Sequence, residues 1–407
     1  MISLKKAGFK FFRCILGLSI IIPITLLFYK TPKILTSPQK FTVQSLPVSY
    51  LSSTTSPTST ATSPTSAATP PPASNYSKSL SNNTRRFAIF SSSIHSKLRS
   101  YIFYTPIAAA AWQRIGYDVI VVFAGDFTKK SNASLSPQLN VSRTFLKRLG
   151  VHVINFQCDI SYSIKISQLV RIFAGFLPDT IINDTDYILT TDTDIIPILK
   201  QDYELKENTD GFIFNAFCCG TYQRRNKTYD MYPMSHICLP KQFWRNIFLE
   251  SIQRQELLKS NLSVSDSILL SDKAPFSIDT INLYTRHEFR QIYDSNMTKG
   301  DTAWYMDQVY SSMLLNDYCE KHSNIKIDKR KHDSKRLDPN LPFHMWEPSR
   351  LKTYGDAHVI HDEIFGSYRW LTFKNLLYFL FNSSLANDFN DYYKQFTLLL
   401  RDKPNDH

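Results

Sequence analysis

The sequence predicts an α/β fold, an open and mostly parallel sheet with helices on both faces. Three observations lead to it. From residue 85 onward, short apolar runs alternate with segments patterned as helices. The runs are continuously apolar, as fully buried strands are. The central one, Tyr187-Ile-Leu-Thr-Thr-Asp-Thr-Asp-Ile-Ile-Pro197, carries two carboxylates one residue apart, and open sheets bind ligands beyond the carboxyl ends of their strands.

In chain order, Phe87 to Ser93 is the first buried strand, ending in small hydroxyl residues. Thr105 and Pro106 read as an N-cap and a proline at the first helical position, with Gly116 closing the helix. Tyr117 to Ala124 is the second strand, with Gly125-Asp126 as its exit. Ser142 reads as the cap of a helix through Leu149, stopped by Gly150, and Val151 to Phe156 as the third strand. Ile166, Leu169, Val170, Phe173 and Leu177 line one side of a helix over 165–177, which Pro178 ends. After the central strand, Gly211 to Phe217 reads as a strand and Leu239 to Ile252 as a helix bearing Trp244 and Phe248. A helix to Leu315 opens at Gly300, with Asp301 as its N-cap.

The N-terminus differs from this body. Residues 1–13 hold Lys5, Lys6, Lys10 and Arg13, and residues 14–29 carry no charge. As a helix that run spans about 24 Å, which suits a thin membrane of the early secretory pathway. No small-x-small cleavage site follows, and the basic side precedes the span, so the expectation is an uncleaved signal anchor with a lumenal body. Residues 30–84 are dominated by Ser, Thr and Pro and cannot bury a core; they read as an extended stem. The lumenal body is then 85–407. Asn-x-Ser/Thr acceptors at Asn75, Asn82, Asn132, Asn140, Asn226, Asn261, Asn296 and Asn382 fit that address, while Asn183 is expected to be too buried for use. Of six cysteines, Cys14 lies in the span; Cys158, Cys218, Cys219, Cys238 and Cys319 allow up to two bridges in an oxidising lumen, with one thiol left over. The formal charge of +12 suits anionic ligands, and the compartment argues against nucleic acid.

The carboxylate pair has two readings. On a strand, Asp192 and Asp194 share a face and can grip one hard cation; alternatively they end a strand at a turn. An EF-hand loop fits worse, because it needs a glycine at its sixth position and a terminal Glu, and Ile195-Ile-Pro197 continues instead. The order of basic patch, short anchor, Ser/Thr/Pro stem, alternating body and apolar strand into Asp192-Thr-Asp194 resembles the type II Golgi glycosyltransferases of the GT-A fold. That resemblance implies a divalent cation, manganese or magnesium, holding the diphosphate of a nucleotide sugar. It would give Asp194 direct ligation of the metal and Asp192 a contact to metal or ribose. It divides the body into a nucleotide-sugar half, 85–200, and an acceptor half, 201–407.

Three further sites follow. Asp307 falls inside the apolar face of its helix, where a carboxylate has either a buried partner or a chemical task; the resemblance implies a base for the acceptor hydroxyl in an inverting member. Arg171 points away from its helix's apolar stripe and reads as exposed, although the resemblance allows it a contact to the donor. His361, with His358 second, is the candidate C-terminal metal ligand in His358-Val-Ile-His361, ahead of Gly366 and Trp370. The basic run Asp328 to Arg336 reads as a solvated loop that could meet an acidic glycan or the diphosphate. The expected function is metal-dependent transfer of a sugar, of the hexosyltransferase type, to a glycan or glycoprotein acceptor. The alternative is a catalytically silent, membrane-anchored glycan-binding or scaffold protein with the same fold.

Overall fold

The computed structural model describes residues 84–401 apart from 96–98, 129–135, 261–262, 299 and 332–334. The tail, the anchor at 14–29, the stem up to residue 83, and Asn75, Asn82, Asn132 and Asn261 lie outside the described residues. Among those described, no helix is long and apolar enough to cross a membrane.

The first half runs β1 Arg86–Ser93, α1 Ser100–Arg114, β2 Asp118–Gly125, α2 Ser136–Arg148, β3 His152–Gln157, α3 Ser163–Leu169, β4 Tyr187–Thr190 and β5 Ile195–Pro197. It continues with β6 Gly211–Ile213, β7 Thr221–Arg224, β8 Lys227–Asp230, β9 Ile237–Pro240, α4 Lys241–Leu249, α5 Ile252–Leu258, α6 Val264–Leu269, α7 Ile278–Phe289, α8 Gln291–Asp294 and α9 Met306–Lys321. The rest comprises β10 Ile327–Lys329, β11 Lys335–Leu337, α10 Pro348–Leu351, β12 Tyr354–His358, α11 Ser367–Leu380 and α12 Ser383–Arg401.

Seven strands form one sheet in the order β10-β6-β9-β4-β1-β2-β3. Only β9 runs against its neighbours, so the sheet is mixed but mostly parallel. Side-chain alternation explains the continuously apolar strands. Ala88 and Phe90 of β1 face one core with Val121 and Phe123 of β2, while Phe87 and Ile89 face the other with Ile120 and Val122. Helices α1, α2, α11 and α12 cover the first face, and α3, α4, α7 and α9 the second. β2 and β3 extend the sheet on one side of β1, and β4 lies on the other, which makes the β1–β4 boundary the point where strand order reverses.

Local sequence misplaces some boundaries for identifiable reasons. Helix α1 starts at Ser100, so Thr105 and Pro106 sit inside it rather than capping it. Its start is capped from afar, where the backbone N–H of Ser100 donates to Asp362 Oδ1 at 2.8 Å. Pro106 has no N–H for the Ile102 carbonyl; that oxygen accepts instead from Thr105 Oγ1 at 2.8 Å and Ser142 Oγ at 3.2 Å. Ser142 is accordingly a buried mid-helix residue, also bonded to the Tyr392 hydroxyl, and α2 begins before it. Leu239 and Pro240, expected to open a helix, belong to β9 instead, because residues 237–240 fill the antiparallel slot between β4 and β6. The helix over 165–177 breaks after α3 into a tight 3₁₀ turn, Ile172–Phe176. Asn183 is exposed rather than buried.

That 3₁₀ turn lies directly on α4. A Cβ on Gly175 would fall 2.3 Å from the Arg245 backbone nitrogen and 2.5 Å from the Trp244 carbonyl carbon. Gly175→Ala is therefore expected to lower stability by ~1–3 kcal/mol, read from the urea midpoint. The β7–β8 hairpin turns through Arg225 and Asn226, both at positive φ, as a two-residue hairpin loop requires. Arg225 is fastened there by Glu256 and Glu288. The hydrogen bond from Arg225 outweighs partial burial and, with His287, lowers the Glu256 carboxyl to about 2. A depressed carboxylate stabilises the fold above its ordinary pKa and loses that contribution as pH falls through the folded value. The urea midpoint should thus lose, between the ordinary 4.5 and about 2, a component that Glu256→Gln abolishes.

Candidate active site

Strand β4 ends at Thr190, and Asp192 and Asp194 lie in the turn leading to β5. The shared strand face expected for them is therefore corrected. The turn is pinned on both sides: Thr191 N–H donates to the Ile89 carbonyl at 3.0 Å, and Thr193 Oγ1 to the Ser91 carbonyl at 3.0 Å. Its two acids consequently meet different surroundings. The side chain of Asp194 is 10% exposed and that of Asp192 36%.

A second sheet, β11-β12-β5, brings distant sequence to this turn. β12 pairs antiparallel with β5 so that His358 lies opposite Ile195, and Val359 N–H donates to the Asp194 carbonyl at 2.9 Å. His358 Nε2 then stands 3.3 Å from Asp194 Oδ2. Burial alone would raise the Asp194 carboxyl, but the hydrogen bond and charge of His358, with His361 behind it, hold it below its ordinary value. The bond to Asp194 raises the His358 imidazole in turn, against burial and Arg336. His361 is close by; its ring centroid is 5.2 Å from that of Tyr101, and its buried Nδ1 has no hydrogen-bond partner. Asp356 holds Arg336 at the same wall by two hydrogen bonds of 2.8 and 3.1 Å.

Arg171 corrects another expectation, since it is buried rather than exposed. Its guanidinium donates to Asp192 Oδ1, to the Thr191 carbonyl at 2.7 Å and to Asp307 Oδ2 at 2.7 Å. Asp307 therefore has a buried partner. Burial disfavours charge on Arg171, but Asp192 and Asp307 outweigh it and raise its pKa. Burial, with Asp192 close by, raises the Asp307 carboxyl despite Arg171.

All of these side chains line one cavity of about 680 Å³ at the β1–β4 reversal: Asp192, Asp194, Arg171, Asp307, His358 and His361. The cavity adds groups that sequence reasoning passed over. Ser91, Ser92 and Ser93 were visible only as a strand end, and Tyr101 and Gln308 gave no signal of their own. Arg336 was legible only as part of a basic run. Among the described residues no three His, Cys, Asp or Glu side chains form a ready-made cluster for an ion. What the wall offers is Asp194, the partnerless His361 Nδ1 and an oxygen of the half-exposed Asp192. A hard cation held there would have to take most of its ligands from water and a bound anion, as magnesium sites do with phosphates. Of the up to two bridges expected among the five body cysteines, one is present: Cys218 and Cys219 are bonded to each other on the cavity wall, and three thiols rather than one are left over, Cys158, Cys238 and Cys319.

Removing Arg171 leaves Asp307 buried and unpaired. Arg171→Leu should therefore cost about 3–5 kcal/mol in urea unfolding, and Arg171→Leu with Asp307→Leu should recover much of it. Arg171→Lys should restore only part, because one ammonium cannot copy a planar fork between two carboxylates.

No protein-family model and no curated protein matches the sequence. Among solved structures, the chain is similar to the galactosyltransferase LgtC in complex with donor and acceptor sugar analogues, at 11% identity over 76% of this chain and 95% of that one, with a TM-score of 0.35. It is also similar to the bifunctional glycosyltransferase WbbM in its apo form, at 11% identity over 77% and 52% and a TM-score of 0.27. A third is 4-diphosphocytidyl-2C-methyl-D-erythritol synthase, at 11% identity over 46% and 84% and a TM-score of 0.25. At TM-scores this low, the reading of the site rests on its own geometry.

Proposed function

We propose that the chain transfers a sugar from a nucleotide diphosphate sugar to a glycan or glycoprotein hydroxyl with the help of manganese or magnesium. One observation carries this reading. A single cavity at the sheet's reversal point joins a carboxylate–histidine wall, Asp194 with His358 and His361, to two fixed guanidinium groups, Arg171 and Arg336. A departing nucleoside diphosphate develops negative charge, and pre-set cations lower the barrier by meeting that charge where it forms.

In this reading Asp194 and His361 hold the cation, with Asp192 contributing its second oxygen, and the cation supplies Lewis acidity to the diphosphate. Arg336, already oriented by Asp356, offers its cavity edge to a phosphate oxygen. Arg171 fixes Asp192 and orients Asp307. In an inverting reaction Asp307 takes the proton of the acceptor hydroxyl, and its raised pKa suits a base; in a retaining reaction it serves as the partner of Arg171. Residues 14–29 anchor the body as a type II Golgi membrane protein, and residues 30–84 hold it away from the bilayer. The exposed acceptors Asn226, Asn296 and Asn382 agree with a lumenal body.

The test uses the purified full-length protein in detergent, with a panel of UDP- and GDP-sugars, manganese and simple glycoside acceptors. Release of nucleoside diphosphate is expected with one donor and is abolished by chelator. Asp194→Ala should lower it by about 100-fold or more, the worth of several kcal/mol of charge stabilisation. Full activity in Asp194→Ala would sink the metal assignment. Absence of nucleotide binding by calorimetry under every pairing with manganese would favour the silent glycan-binding protein instead. Peptide N-glycosidase should raise the gel mobility of protein from secretory cells, and unchanged mobility would count against the lumenal address.

A further inference from the structure

The cavity is lined by charged, polar and apolar groups, and the bonded pair Cys218–Cys219 is part of that lining. A bridge between distant residues stabilises a fold by restricting the unfolded chain, and that effect grows with the loop closed. This bridge joins residues one apart, so it staples nothing distant. Its effect is local, making one stiff ring of the two residues.

The surrounding segment keeps that ring in place. Phe214 N–H donates to the His236 carbonyl at 3.0 Å, Ala216 N–H to the Arg330 carbonyl at 2.9 Å, and Cys218 N–H to the Asn215 carbonyl at 3.1 Å. Beyond the ring, Met231 N–H donates to the Gly220 carbonyl at 2.9 Å. Asn215 and Gly220, on either side, take positive φ, which turns the chain sharply around the pair. The ring is thus braced at both ends against the wall that carries His236.

Other apolar groups line the same cavity. Ile164, 39% exposed, and the half-buried Trp304 and Tyr305 are among them, and Phe217 next to the ring is 61% exposed. Large apolar side chains left open to water beside charged groups mark a binding surface. Arg171, Asp194 and Asp307 are buried, whereas the more open part of the lining offers sulfur and aromatic surface beside Asp192 and His358. Sulfur and aromatic rings are polarizable surfaces well suited to C–H groups, and a sugar ring presents such groups on one face.

Resting on the transferase reading above, we propose that the Cys218–Cys219 ring is a specificity-determining ledge that receives the apolar face of the acceptor's sugar ring. With the bond intact the ledge is rigid, and the acceptor hydroxyl is held within the cavity. Reduction adds two electrons and two protons, opens the ring to two independent thiols, and lets the ledge relax. The remaining thiols do not substitute for it. Cys158 and Cys238 are buried, and burial pushes both up to about 12, where they stay protonated and inert.

The experiment compares full-length wild type with Cys218→Ser/Cys219→Ser and with wild type reduced by a water-soluble phosphine. The phosphine gives its electron pair to the disulfide and ends as phosphine oxide, with water supplying the oxygen and the two protons. Alkylation and mass spectrometry report the state of the bond, and thermal unfolding reports folding. Two constants are read separately, donor hydrolysis without acceptor and KM for the methyl glycosides of galactose, glucose and mannose. The ledge predicts an acceptor KM raised about tenfold or more, equivalent to ~1.4 kcal/mol, in both the serine variant and the reduced protein, with donor hydrolysis unchanged. Unchanged acceptor KM, or equal loss of both constants, overturns the ledge while leaving the transferase intact. Absence of turnover by the wild type with every donor and acceptor overturns the transferase reading, and the ledge with it.

Discussion

A buried guanidinium between two acids is the constraint from which the site takes its shape. Arg171 reaches Asp192 on the β4–β5 turn and Asp307 on α9, residues separated by more than a hundred positions, and closes the distance between the sheet and a helix of the second core. Such an arrangement is costly to bury, because each charge gives up its water, and breaking it leaves a buried charge uncompensated. It explains why the two acids of Asp192-Thr-Asp194 behave differently. One is tied back to the protein, and the other faces the histidines.

The small sheet of β5, β11 and β12 is the other half of that design. Antiparallel pairing has a side-chain period of two, so the register that sets His358 opposite Ile195 also decides which face carries the imidazole. A one-residue slip would turn His358 away from Asp194. Three hydrogen bonds around the motif, to Ile89, Ser91 and Val359, hold the turn in place between the two sheets. The site therefore rests on backbone as much as on side chains.

The general architecture was legible because its signals are local. β1, β2 and β3 appeared within a residue or so of their observed ends; β1 and β2 are buried on both faces and so apolar along their length, while the half-exposed edge strand β3 was marked by Val153, Ile154 and Phe156 after Gly150. The site residues were legible as types: two acids after a strand, an acid in an apolar helix face, histidines near the end. What could not be read was set by contacts far along the chain. Asp362 caps α1 from 262 positions away, so the nearest capping signal, Thr105-Pro106, was misleading. Arg171 looked exposed because the stripe on its own helix omits it; its burial comes from acids on two other elements. The bridge between Cys218 and Cys219 was left open among the possible pairings, because connectivity does not follow from spacing alone.

The pairing of β5 with β12 also has a consequence for how the protein is made. Asp194 and His358 lie 164 positions apart, and a contact of that range forms late, after the entropy of closing the intervening chain has been met. A growing polypeptide would possess its acidic turn long before its histidines emerge. The site is then completed only once β12 is in place, and a chain cut short just before β12 would carry all seven strands of the main sheet but lack His358 and His361, together with the helices α11 and α12 that cover the sheet's first face.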